Sequence, residues 1–368
     1  MLTPFDDYLT HQTPDSFASV ATSDRNFFDR YYFGCHDLTG DTFLVVAMGA
    51  YPNVGVMDAF ATCVQRRDKQ FVVRASRALG ADRSQSVVGP IGVEVIEGLR
   101  KIRVWCEPNE WGLDFDLTFE GLTAPFEEPH FNRRVGNKVV MDYSRLTQSG
   151  RWSGKLNVGG ESHDVAPDGW WGARDHSWGI RPVGDREPAG APDTNASRGF
   201  YWNWSPMQFG DRALMYTVSE NDDASRWHEA AAFLYSDGRD QEELSVIRHD
   251  WKLKKGTRRF DGGSALLARA DGSELLVQFE PLTQLHMAGA GYSYLGDRWR
   301  HGQYHGELEV EGETWDIADE EFLKTIQGQN QTVCKVTAGD ASGYGIFELI
   351  VFGLYEPYGF KTPTDVAE

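Results

Sequence analysis

The stretch Gly169-Trp170-Trp171-Gly172-Ala173-Arg174-Asp175-His176-Ser177-Trp178-Gly179-Ile180-Arg181-Pro182 packs three indoles, two guanidiniums, an imidazole and a carboxylate into fourteen residues. Read as extended chain, its side chains alternate between two faces. Arg174, His176 and Trp178 then share one face, and Asp175, Ser177 and Gly179 the other. Phe200-Tyr201-Trp202-Asn203-Trp204-Ser205 repeats the arrangement: Tyr201, Asn203 and Ser205 face one way, Phe200, Trp202 and Trp204 the other. Such a mixture is too aromatic for a surface loop and too titratable for a plain core. It suits a concave site whose apolar walls hold a few convergent polar groups.

Working outward, short apolar or alternating runs bounded by Gly, Asp or Pro predict strands on both sides of this stretch. Before it lie Phe43 to Tyr51, Phe71 to Ala75, Val93 to Ile96, Lys101 to Cys106, Asp114 to Phe119, Val139 to Tyr143 and Arg151 to Val158. After it come Phe200 to Trp204, Ala213 to Val218, Ala230 to Tyr235, Glu274 to Phe279, Gly306 to Glu311 and a nearly all-apolar run, Gly345 to Tyr355. The Asp-Gly and Gly-Gly pairs at 237–238, 262–263 and 271–272 are hairpin-turn chemistry. Helical pattern is confined to Asp6 to Gln12 and Asp316 to Thr325. With 13% aromatic residues, 39 glycines and 12 tryptophans in 368 residues, the chain reads as all-β. Pro182 to Asp193 is dense in Pro, Gly and Asp and reads as a linker. A cut there gives residues 1–184 and 185–368, expected to be two consecutive antiparallel β-barrels.

A net charge of −19 without a dense basic run argues against nucleic-acid partners. The basic cluster Lys252 to Arg259 reads as a solvated hairpin end. No apolar run reaches membrane-spanning length, and Met1 to Asp7 lacks the regions of a signal peptide. The four cysteines, Cys35, Cys63, Cys106 and Cys334, show no paired spacing, so reduced thiols and a cytoplasmic location are expected. The Gly-x-Ser-x-Gly and Gly-x-Gly-x-x-Gly patterns are absent, which removes support for hydrolase and nucleotide-dependent readings. His301 and His305 have the spacing of a helical metal pair, but the surrounding glycines and strand pattern argue against a helix, and no metal or cofactor is expected.

Gly172-Ala173-Arg174-Asp175-His176-Ser177-Trp178-Gly179-Ile180-Arg181 resembles the signature of the hydroxyneurosporene synthase, or carotenoid 1,2-hydratase-like, superfamily. Gly49-Ala50-Tyr51-Pro52-Asn53, Gly89-Pro90-Ile91 and Trp299-Arg300-His301-Gly302-Gln303-Tyr304-His305-Gly306-Glu307 support it. The resemblance implies two lipocalin-like (calycin) barrels and cofactor-free chemistry on isoprenoid or polycyclic molecules. In the family's hydratases a His-x-Trp pair is followed further along by Tyr-x-Asp. His176-Ser177-Trp178 matches the first, while Tyr201-Trp202-Asn203 carries an amide where the family has its acid. A carboxamide cannot protonate an alkene, so another acid or a gentler reaction is required. Asp175 is the nearest carboxyl; Glu127 and Glu128, beside His130, are alternatives.

The sequence therefore predicts a cofactor-independent lyase, hydratase or isomerase acting on a hydrophobic isoprenoid, steroid-like or aromatic compound in a cavity near the junction. His176 would move the proton. Tyr201, Asn203, Arg174 and Asp175 would complete the catalytic group, and Trp178, Trp202, Trp204, Trp171, Tyr294 and His301 would bind substrate. Each has a structural alternative: a satisfied core histidine, barrel-packing indoles, arginines bridging the halves. Two rival functions stand beside the enzyme, a non-catalytic carrier of hydrophobic molecules and a purely structural aromatic junction. The sequence leaves the oligomeric state open.

Overall fold

Strand Phe27–Asp37 lies at the centre of the first of two β-structures and shows how they are built. The computed structural model describes residues 1–187, 190, 197–292, 299–326 and 328–368. In the first sheet, Phe27–Asp37 runs antiparallel between Thr42–Tyr51 and Trp170–Ile180. Val56–Gln65 and Lys69–Ala78 extend one side; Lys138–Val158, Leu113–Gly121, Lys101–Cys106 and Ile91–Glu97 extend the other. This sheet curls into a nearly closed barrel around Phe33, Leu44, Val104, Phe119 and Trp152. The second structure is a closed eight-stranded barrel, Gly199–Gln208 to Ala341–Gly353, whose last strand pairs with its first. A barrel of this size has an interior that side chains can fill, here Tyr216, Trp251, Phe279 and Phe347 among others. The all-β, two-barrel expectation is met.

The barrels press together through a third core that includes Phe28, Tyr32, Phe131, Tyr143, Trp202, Trp204 and Ile350. Each large apolar side chain buried at this contact contributes about 1.5–3 kcal/mol. Phe27–Asp37 places Arg30 on its buried face beside Phe28 and Tyr32, so it shows no apolar–polar alternation and escapes the sequence pattern. The chain also crosses between units: Leu308–Asp316 pairs with Lys69–Ala78, so the second half lends a strand to the first sheet.

Several local expectations change in detail. Val139 to Tyr143 and Arg151 to Val158 belong to one 21-residue strand, Lys138–Val158. The helical segments shrink to a 3-10 turn, Pro4–Asp7, and one short helix, Glu320–Leu323, capped by Asp319. Gly238 and Gly272 sit at positive φ in turns, as expected. Gly262 and Gly263 do not form a turn; they lie inside strand Phe260–Ala268. Gly263 has φ +141°, and a Cβ there would stand 2.2 Å from the Asp250 carbonyl oxygen. Both backbone strain and contact with a fixed peptide oppose any side chain. Gly263→Ala should therefore lose about 1–3 kcal/mol in urea denaturation; unchanged stability would show that the neighbouring strand yields freely.

Among the described residues no helix is long and apolar enough to cross a membrane. All four cysteines are free and buried.

Candidate active site

Strand register alone assembles the site. Antiparallel partners point to the same face, and Tyr32 stands opposite Asp175, which stands opposite Thr147. The adjacent row on that face is Arg30, Ser177, Arg145. Asp175 is thus set diagonally between two arginines on the face that meets the second barrel. From the barrel, Trp204 opposes Glu348, which opposes Gln331. Between the two faces lies a cavity of about 550 Å³. Its walls are Met141, Tyr143, Phe200, Trp202, Trp204, Tyr292, Ile350 and Phe352; its polar groups include Arg30, Arg145, Asp175, Gln331 and Glu348. The expected linker takes part too, since Pro182 to Glu187 line one side.

Arg145 is locked in place. Glu128 grips its guanidinium with two hydrogen bonds, 2.8 and 2.6 Å, and both side chains are buried. Thr147 Oγ1 and Trp204 Nε1 also donate to Glu128 Oε1, at 2.6 and 3.2 Å. The guanidinium carbon lies 4.7 Å from the Trp202 ring centre and 4.9 Å from that of Phe131. Glu348 is held in the same way from the other side. Trp202 Nε1 donates to it at 2.8 Å and Gln331 Nε2 at 2.6 Å. Burial raises its pKa above the usual carboxylate range, against the pull of those donors and of Gln329. The Tyr32 hydroxyl donates to Gln331 Oε1 at 2.5 Å, tying the two units across the cavity floor.

Asp175 differs from both. Among the described residues its carboxyl has no hydrogen-bond partner, and the surface it retains faces the cavity. Burial pushes its pKa up to about 6; Arg145 and Arg30 pull against that, while Glu128 and Glu348 add to it. A carboxyl so placed is partly protonated near neutral pH and free to exchange its proton with a bound molecule. Tyr292, opposite, is raised to about 12, chiefly by burial. It remains a neutral hydroxyl.

The sequence-predicted residues divide. Asp175, Trp202, Trp204 and His301 line the cavity. His176 does not: it faces the first sheet's own core, with Nε2 2.7 Å from Asp29 Oδ1 and its ring against Tyr31. Trp178 stands beside it, 41% exposed. Arg174 is buried on the same face, where its Nε donates to Gln148 at 2.9 Å. Tyr201 lies inside the closed barrel, stacked between His249 and Tyr355. Asn203 also turns from the cavity; its Nδ2 donates to the Glu348 carbonyl oxygen at 2.7 Å. Trp171 packs on Arg151 and Tyr344, away from the cavity. Tyr294 lies outside the described residues.

The expected convergence of His176 and Tyr201 is therefore corrected. The face assignments along both strands hold, but each of these two side chains points into its own barrel, and the cavity lies between the barrels. Glu128, weighed as a free acid, is instead the buried partner of Arg145. Arg30, Tyr32, Tyr143, Arg145, Tyr292, Gln331 and Glu348 escaped sequence reading. Glu348 carried a usable signal, a lone carboxyl in the apolar run Gly345 to Tyr355, which must find partners if buried.

Two solved structures share the fold at low identity. A putative AttH from Nitrosomonas europaea is 17% identical with a TM-score of 0.52, covering 90% of this chain and 94% of its own. CghA, solved with Sch210972, is 10% identical with a TM-score of 0.51, covering 89% and 88%. The kievitone hydratase of Nectria haematococca is 12% identical with a TM-score of 0.43, covering 87% and 88%. At these identities the likeness is one of fold. No curated protein matches the sequence. Residues 2–361 match a family of unknown function, DUF8625, and the chain belongs to it.

Proposed function

We propose that this protein is a cofactor-independent lyase, hydratase or isomerase acting on a hydrophobic cyclic, isoprenoid or aromatic compound, with Asp175 as the group that moves the proton. The observation that carries this reading is the Asp175 carboxyl, which has no hydrogen-bond partner among the described residues, is held near pKa 6 and faces an aromatic cavity. As carboxylate it removes a proton from a carbon beside a substrate carbonyl. The electron pair moves onto the carbonyl oxygen, where Arg145 and the Tyr292 hydroxyl stabilise the developing charge. As carboxylic acid it returns the proton, to a second carbon in an isomerisation or to a departing hydroxyl in an elimination that releases water. Proton transfer of this kind contributes about 10²–10⁴-fold. Glu348, raised by burial and held by Trp202 and Gln331, is a second carboxyl within the same cavity. The role that sequence gave to His176 passes to Asp175.

The test is deuterium exchange at the α-carbon of 2-tetralone in D₂O, followed by proton NMR alongside saturation-transfer detection of binding. The wild type should accelerate exchange by roughly tenfold or more over buffer. Asp175→Asn should return it to the buffer rate, and His176→Ala should keep it. Binding without exchange would identify a carrier, and exchange that survives in Asp175→Asn would remove the carboxyl from the mechanism.

A further inference from the structure

Arg30 is 4% exposed and lines the cavity. Other buried arginines have fixed polar partners: Arg145 has Glu128, Arg74 has Glu313 and Arg174 has Gln148. Among the described residues Arg30 makes neither an ion pair nor a hydrogen bond. Its near neighbours are ring faces, with its guanidinium carbon 5.0 Å from the Tyr292 centre and 5.6 Å from that of Phe28. Ring faces do not satisfy five N–H donors, and a buried cation without a counterion is costly unless something supplies one. Asp175 and Asp58 lie close enough to favour the Arg30 charge, but neither bonds to it.

The surroundings point the same way. Seven basic and four acidic side chains line this cavity, and even with Arg145 neutralised by Glu128 the basic ones remain in excess, in a chain whose net charge is −19. A positive lining within a low-dielectric wall concentrates anions locally even on an acidic protein. From the Arg30 fork, unpartnered among the described residues, and this reversal of charge, we propose that the ligand carries an anionic oxygen group, a carboxylate or an ionised enol, that docks on Arg30 while its apolar body lies against Trp202, Trp204 and Phe200. The proposal rests on the reading of this cavity as a site for hydrophobic molecules and gives that class a charged end. A guanidinium fork matches two oxygens on one planar group.

The experiment is isothermal titration of the full-length protein at pH 7 and low salt with two matched pairs, 2-naphthoate against 2-naphthylmethanol and retinoate against retinol. In at least one pair the carboxylate should bind roughly tenfold or more tightly than its alcohol, a preference that added salt reduces. Arg30→Met should erase the preference and leave the alcohol's affinity within about threefold, because among the described residues Arg30 holds no hydrogen-bonded partner. Arg30→Lys should retain part of it. Equal affinities in the wild type, or a preference that survives Arg30→Met, would overturn the proposal while leaving the hydrophobic site intact. If no probe binds, both fall. A carboxylate preference in a protein that fails to exchange 2-tetralone would sink the catalytic reading alone. The wild-type comparison decides the point even if the variants fail to fold.

Discussion

Glu128→Ala is expected to be the most destabilising single change at the site, by about 3–5 kcal/mol in urea denaturation at pH 7. The Glu128 side chain is fully enclosed and Arg145 nearly so. Removing the carboxylate leaves a guanidinium among Phe131, Trp202 and Trp204 with no bonded counterion, only the more distant charge of Asp175. Thr147 loses its acceptor, and Trp204 keeps only a 3.3 Å contact to Thr147 Oγ1. Glu128→Gln should fall between, since it keeps the volume and one oxygen. The double variant Glu128→Gln with Arg145→Met should recover much of the loss, because the penalty comes from the stranded charge rather than from the missing bond. A loss below about 1 kcal/mol in Glu128→Ala would mean that water reaches Arg145 and that the pair behaves as a surface one.

Asp175→Asn is expected to act in the opposite direction on stability, and only above a certain pH. An aspartate with an ordinary pKa of 3.8 in the unfolded chain stands at about 6 in the folded protein. Well below pH 3.8 both states are protonated and the group is neutral in the balance. Between pH 4 and 6 the unfolded chain ionises first, so stability falls as pH rises through this window. Above pH 6 the full penalty remains, of the order of 3 kcal/mol. The amide carries no such penalty. Asp175→Asn should therefore match the wild type at pH 4 and exceed it by up to about 3 kcal/mol at pH 8. Equal stability at both pH values would show that Asp175 is solvated in the fold. A gain in stability beside a loss of proton transfer is the trade expected where a carboxyl is kept strained for chemistry.

Much of the site was legible, but one step short of the right residues. The alternation along 174–180 and 200–205 correctly separates Asp175 from His176 and Trp202 from Tyr201, because period-two geometry is a local property of extended chain. Aromatic density and the family resemblance then drew attention to His176 and Tyr201. The polar groups that do meet were hidden for a different reason. Arg30 and Arg145 sit on buried faces that carry charge beside aromatic rings, so no apolar–polar rhythm marks those faces, and Glu348 was absorbed into a run read as nearly all apolar.

The amino-acid pattern by itself determined the β class, the two-barrel architecture and the two faces of each strand through the junction. Those follow from backbone geometry and turn chemistry within a few residues. Tertiary structure alone decided which face became the cavity wall. That choice depends on pairing residue 32 with 175 and 147, and on laying the resulting sheet against strands nearly two hundred residues further on. Packing of two sheets rewards complementary shape and charge across that distance, and no local rule encodes it.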